Sequence, residues 1–263
     1  MRRFENKTVL VTGAAGGIGS EICKVMAAEG ANVIASDVNE PALLTVVAKL
    51  AAGNSHSNHN SIAGDIRDPQ FCDALPGQAK SLAGSLDVVI NNAGVNRRGT
   101  ILATSDDDWT MTMQVNVDAI FRICRSTVPI MQQQSQDEHG LRGSIVNLAS
   151  CWGLYPGPDH LAYCTSKAAV AAMTRCLGRD HAPDGIRVNA VCPNEVNTPM
   201  LRSGFELRGL NSETAIEELN QSVPLGRIAE PDDIAAAVAY LASNDARYVC
   251  GSLLEVNGGK PVY

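Results

Sequence analysis

Short apolar runs rich in β-branched residues alternate with helix-length patterns from one end of this sequence to the other, and that alternation constrains the fold more than any other feature. Val9-Leu10-Val11 is the first such run, followed by a glycine-rich turn and a helical pattern from about Ser20 to Glu29. Gly30 stops that helix, Asn32–Asp37 reads as a second strand, and Pro41 suits the first turn of a helix reaching about Ala52. Further strands are expected at Ser61–Ala63, Leu86–Ile90, Ser144–Leu148, Arg187–Val191 and Leu253–Val256. Helices are expected near Asp106–Gln134, Tyr163–His181 and Asp232–Ser243. Continuously apolar strands separated by helices mean a parallel sheet covered on both faces, so the expected fold is α/β, doubly wound, with seven strands.

At 263 residues, without a linker, repeat or break in composition, the chain reads as one domain spanning 1–263. The polar stretch Gly53–Asn60 is a loop between elements; its histidines, His56 and His59, are read as solvated rather than metal-binding. A formal charge of −7 without basic runs disfavours nucleic acid and anionic membranes, which need clustered Lys and Arg. No apolar run approaches a membrane span, and Glu5 and Asn6 interrupt any leader-like stretch, so a cytoplasmic address is expected. Eight cysteines carry no CxxC and no zinc-finger spacing; free thiols, no disulfide and no metal are expected.

An open sheet of this kind binds its ligands at the carboxyl ends of the strands. Directly after the first strand comes Gly13-Ala14-Ala15-Gly16-Gly17-Ile18-Gly19, which lets the backbone approach a pyrophosphate and rest it on a helix N-terminus. Asp37 ends the second strand 18 residues after Gly19, where a carboxylate accepts from ribose hydroxyls and repels a 2′-phosphate. Neither the turn nor Val38-Asn39 supplies a compensating cation, so NAD is expected over NADP. Asp65-Ile66 follows the third strand and Asn91-Asn92-Ala93-Gly94 the fourth.

With these segments in place, the chain resembles the short-chain dehydrogenase/reductase family. The resemblance implies that Asp65 and Ile66 lie beside adenine, and that Asn91, Ala93 and Gly94 shape the floor under the cofactor. Pro193, Val196 and Thr198 then fall at the nicotinamide end.

Tyr163 and Lys167 stand at i and i+4, so a helix puts both on one face. A phenol with a pKa near 10 is a poor base, and a neighbouring ammonium favours its phenolate. Ser150 ends a strand thirteen residues upstream, and Asn116 lies inside the long helix after the fourth strand, where a buried amide needs a use. The resemblance implies Tyr163 as acid/base, Lys167 as its tuner and ribose anchor, Ser150 as substrate holder and Asn116 as holder of a relay water. One departure is Asn194, followed by Glu195, where the family usually has Gly after Pro193. Asn tolerates left-handed angles, so the turn survives, and its side chain either faces the substrate or caps the turn.

The pocket is expected from Val95–Arg98, from Cys151–His160 and from a mobile lid at about 194–222, with Asn197, Arg202 and Arg208 available. This is a polar inventory, unlike a steroid or acyl pocket. Sugar-acid dehydrogenases of the family are similar in carrying an Arg pair after NNAG, so Arg97 or Arg98 binds a carboxylate or sulfonate, or else both are solvated or interfacial. Trp152 and His160 are the remaining candidate substrate contacts, His160 either touching a hydroxyl or packing on the loop. Trp109, Val115, Ile120, Ile123, Val170 and Met173 read as core and interface, and the resemblance implies a dimer or tetramer, of which a homotetramer is expected. The expected function is NAD-dependent oxidation of a secondary alcohol in a small polyhydroxylated, anionic substrate, within carbohydrate metabolism. The alternatives are a 3-oxoacyl-carrier-protein reductase, against which Asp37 speaks, and a non-catalytic NAD-binding protein, against which the intact Asn116, Ser150, Tyr163, Lys167 set speaks.

Overall fold

The structure is a computed structural model and describes residues 2–53 and 58–260. Seven strands, β1 (Thr8–Thr12), β2 (Asn32–Asp37), β3 (Asn60–Ala63), β4 (Val88–Asn91), β5 (Gly143–Leu148), β6 (Ile186–Pro193) and β7 (Leu253–Val256), form one sheet. Its order is β3-β2-β1-β4-β5-β6-β7 and every pairing is parallel. Strand order reverses between β1 and β4, and a crevice opens at that point beyond the carboxyl ends.

Alternate residues of each strand feed opposite faces. Val9 and Val11 pack with Ile22 and Met26 of α1 (Gly17–Ala28), Leu43 of α2 (Glu40–Gly53) and Ile234 and Val238 of α10 (Pro231–Ala242). Leu10, between them, faces the other way, toward Leu75 of α3 (Pro69–Ala83), Ile123 of α5 (Ala119–Gln132) and Val170 of α7 (Leu161–His181). Val115, Ile120, Ile123 and Val170 are therefore core within the single chain, whereas Trp109 and Phe121 remain exposed.

Helix α3 is not among the helices expected from the sequence, and it carries Pro76-Gly77 in its interior. It forms because Asp68 caps Gln70 N–H, Pro69 occupies the first turn, and Cys72, Leu75, Pro76 and Ala79 bury one face. The long helix expected over 106–134 is divided: α4 (Asp106–Met113) and α5 are joined by a π-helical turn, Gln114–Asp118. The expected lid contains two helices, α8 (Pro199–Glu206) and α9 (Ser212–Gln221), and a one-turn α6 (Cys151–Leu154) follows β5.

His56 lies outside the described residues. His59 Nδ1 accepts from Val33 N–H, so it ties the strand β3 approach to β2 rather than standing in solvent. All eight cysteines are free; Cys176 and Cys250 are exposed and the rest buried. A basic groove at the amino ends of the strands is structurally committed. There Arg187 donates to the Leu241, Ala242 and Ser243 carbonyls at the end of α10, and Arg142 to Gln134 O and Asp184 O.

Candidate active site

The turn from β1 into α1 is built for close backbone approach. Gly13 has φ +64°, and a Cβ there would stand 2.8 Å from Ala93 Cα. A Cβ on Gly19 would meet Gly13 O at 2.1 Å, and one on Gly17 would meet Thr198 and Pro199 at 3.2 Å. Gly16 is the N-cap of α1 and offers no side-chain acceptor, and no acidic residue enters the first turn. The first amide groups of α1 are thus left for an outside acceptor, beside Ile18, which packs on the core. A dinucleotide pyrophosphate fits this cradle.

Asp37 closes the neighbouring edge. Its carboxylate accepts from Ala15 N–H at 3.0 Å and Asn39 N–H at 2.9 Å, which fixes it beside the glycine turn. Asp65 lies beyond β3, clasped by Arg67, whose hydrogen bonds hold its carboxyl below the usual range; Ile66 O accepts from Cys72 Sγ. Asn91 is buried at the end of β4 and donates to Asn147 Oδ1 at 2.8 Å. Two residues that the sequence reading missed hold the crevice together. Thr12 Oγ1 accepts from Asn92 and Ala93 N–H, and Asn92 Nδ2 donates to Thr12 O and Gly13 O. Asn92 was visible in NNAG, but its partner was not, because the pairing crosses between β1 and β4.

Gly94 lies against the chemical end: a Cβ there would be 3.4 Å from Asn116 Oδ1 and 3.5 Å from Lys167 Nζ. Lys167 is 4% exposed and its ammonium donates to Leu148 O at 2.6 Å. Burial brings its pKa down to about 8. Its Nζ stands 5.9 Å from the Tyr163 ring centre. Burial pushes the Tyr163 phenol above its ordinary value, and a hydrogen bond with Ser150 pulls partly back. Ser150 Oγ also accepts from Trp152 N–H and reaches Pro193 O at 3.4 Å. Asn116 is fully buried in the π turn; Oδ1 accepts from Val95 N–H, and Nδ2 donates to Val95 O and Ser166 Oγ. Both of its Nδ2 hydrogens are thus taken by protein, bracing the loop after NNAG, and Ser166 in turn donates to Tyr163 O.

The substrate side divides the expected residues. Arg97 turns toward α4, its Nε 3.5 Å from Asp108 Oδ1. Arg98 has no carboxylate partner within salt-bridge reach among the described residues, and its neighbour Gly99 pairs with Asp159 and His160: Gly99 N–H donates to Asp159 O, and Leu161 N–H to Gly99 O. Asp159 holds a left-handed φ of 58° at this junction. His160 packs edge-on to Trp152 at 4.3 Å and lies 6.4 Å from the Tyr163 ring. Its Nδ1 is 2.8 Å from Pro158 O and so carries the hydrogen, leaving Nε2 as an acceptor. Asn194 is not left-handed; the positive-φ residues other than glycine among those described are Asn6 and Asp159. The turn after Pro193 is tied to β7, with Asn194 N–H donating to Val256 O while Asn194 Oδ1 is buried without a partner. Val196 is buried and bridges to Ala229, and Thr198 caps α8 through Leu201 N–H.

Residues 13–260 match the family described as enoyl-(acyl carrier protein) reductase. The chain is 35% identical over 259 residues to meso-2,3-butanediol dehydrogenase of Serratia marcescens, covering 98% of this chain and 95% of that one. It is 34% identical over 257 residues to the 3-oxoacyl-[acyl-carrier-protein] reductase FabG of Thermotoga maritima, covering 98% of each. Among solved structures it is similar to a short-chain dehydrogenase/reductase, glucose/ribitol dehydrogenase, from Brucella melitensis, with TM-score 0.87, 31% identity and 99% of both chains covered.

Proposed function

The chain belongs to the short-chain dehydrogenase/reductase family and is an oxidoreductase of CH–OH groups that uses a nicotinamide cofactor; from that premise we propose that it is an NAD-dependent dehydrogenase of a small polyhydroxylated alcohol bearing an anionic group. A single observation supports the reaction assignment above all others. Tyr163, Lys167 and Ser150 converge at the carboxyl end of β5, with the lysine buried and its ammonium held by the Leu148 carbonyl.

In this reading Ser150 Oγ holds the alcohol oxygen and Tyr163 takes its proton as the C–H bond yields hydride. The cofactor supplies the hydride acceptor and, oxidised, a positive charge beside the phenol. Burial alone keeps Tyr163 protonated, so the ammonium of Lys167 has to offset it; Leu148 O fixes that ammonium in place. Asn116 keeps the NNAG loop under the cofactor by holding Val95 from both its amide groups. NAD is favoured by Asp37, whose carboxylate is locked beside the turn where a 2′-phosphate would fall. The polar substrate class is supported by Arg98, His160 and the unpartnered Asn194 Oδ1, and by likeness to a glucose/ribitol dehydrogenase. Exposed Trp109 and Phe121 on α4 and α5 suit pairing of copies in a dimer or tetramer.

The test is NADH formation over sugar acids, sulfonated polyols, neutral polyols and simple secondary alcohols, with NAD and with NADP. Tyr163→Phe is expected to lower kcat at least ~10³-fold with NAD affinity within about threefold. A variant that keeps its rate removes Tyr163 from the mechanism. A preference for NADP removes the reading of Asp37.

A further inference from the structure

Helix α8 buries only Phe205 and α9 none of its residues, so the position of the lid is set by the two chain segments from which it springs. The first root is the turn 194–198. It follows Pro193, whose carbonyl oxygen lies 3.4 Å from Ser150 Oγ, and it ends at Thr198 and Pro199, which a Cβ on Gly17 of the cofactor cradle would meet at 3.2 Å. The second root is 223–229, leading into α10. The roots are joined to each other: Ala229 N–H donates to Glu195 O at 3.1 Å, Asn197 N–H donates to Ala229 O at 2.8 Å, and Val196 bridges to Ala229.

The chain beyond β7 closes over both roots. Asn257 O accepts from Lys260 N–H and Asn257 Oδ1 from Gly259 N–H, each at 3.0 Å, which folds 257–260 into a tight turn. Gly258 has φ +62°, and a Cβ there would stand 2.6 Å from Val223 Cγ1, so the backbone lies directly on the second root. Gly258 O accepts from Leu225 N–H on that root, and Val256 O from Asn194 N–H on the first, both at 3.1 Å. One side-chain contact completes the turn: Lys260 Nζ donates to Glu195 Oε1 at 2.9 Å, with the two side chains 21% and 15% exposed. Glu195 Oε2 is buried without a partner among the described residues, so the carboxylate depends on Lys260 to stay inside the protein. Removing one member of a pair so far out of water leaves an uncompensated charge, and the turn that carries it has to move outward to hydrate it.

We propose that Glu195 and Lys260 are positioning residues: their ion pair latches the turn after β7 onto the lid roots and so holds 193–198 against Ser150 and the cofactor cradle. The pair acts through Pro193, Thr198 and the start of α8 rather than on the reacting atoms. The inference rests on the reading of the crevice as a nicotinamide site above, and it is independent of the charge of the substrate.

The experiment uses the full chain, with NAD as the probe for affinity and hydrogen exchange, and the substrate panel described above for turnover. In Lys260→Gln the Asn194, Asn197, Leu225 and Ala229 amides are expected to exchange about tenfold faster, with β4 and β5 unchanged. The Kd for NAD, titrated calorimetrically, is expected to rise about fivefold, and kcat/KM to fall about tenfold for whichever panel alcohol turns over fastest. Lys260→Arg keeps the ion pair and is expected to restore all three readouts to within about threefold of the wild type, while Glu195→Gln, which keeps an acceptor without the charge, falls between. Lys7→Gln breaks the ion pair with Asp87 at the amino end of β1 and leaves NAD affinity and exchange at the lid roots as they are. Wild-type exchange and NAD affinity in Lys260→Gln overturn the latch. Faster exchange throughout the sheet as well as at the roots reduces the pair to general stability and overturns it too. Root exchange and NAD affinity that respond, in a protein that oxidises no alcohol of the panel, support the latch and overturn the dehydrogenase reading.

Discussion

Lys167 is an ammonium in a position that disfavours one: it is 4% exposed, no carboxylate among the described residues pairs with it, and burial brings its pKa from 10.5 to about 8. Between those two values the unfolded chain binds more protons than the fold, so raising the pH from about 8 toward 10.5 stabilises the protein. Below about pH 8 the whole cost stands, on the order of 3 kcal/mol. Lys167→Met removes the charge and keeps most of the volume, at the loss of the hydrogen bond to Leu148 O. The variant is expected to be inactive yet more stable at pH 7 by about 1–3 kcal/mol in urea unfolding, with the gain shrinking by pH 10. A midpoint below that of the wild type at pH 7 would sink this account. That the fold keeps the lysine despite its cost is what a residue retained for chemistry looks like.

At the scale of elements, the π turn Gln114–Asp118 has a physical reason. It sets Asn116 facing Val95 and Ser166, and three hydrogen bonds hold it there. Asn116→Leu replaces the amide by an apolar group of similar size and leaves the Val95 backbone without these partners. The expected loss is about 2–4 kcal/mol of stability, together with a lower affinity for NAD, since the NNAG loop loses its brace. Urea unfolding and calorimetric titration read both. Unchanged stability would mean that Val95 finds water instead. The expectation of one helix over 106–134 followed from apolar spacing, which tolerates one extra residue per turn; only packing on Val95 demanded it. Helix α3 shows the converse, where Pro76 broke the sequence signal but its ring packs in the core.

At the scale of the molecule, two apolar layers clamp the sheet, while α9 buries none of its residues and α8 only Phe205. Opening these two helices costs little burial, so their amides are expected to exchange at least ~100-fold faster than those of β5 and β6. Cofactor together with an anionic substrate is expected to slow exchange in α8 and α9 and leave the central strands unchanged. Equal protection in lid and sheet would remove the lid from the mechanism.

The alternation of apolar strands with helices, the glycine turn, Asp37, NNAG and the Ser150–Tyr163–Lys167 spacing were all legible in the sequence, because each rests on local backbone geometry or on one helix face. Tertiary structure decided what depends on elements distant in sequence meeting in space. Thr12 bonds across to Asn92, Asn116 to Val95 and Ser166, and Arg97 is diverted to Asp108. Spacing along a chain records which residues share a helix face; it holds no record of which loops a parallel sheet, with its crossovers, delivers to the same crevice.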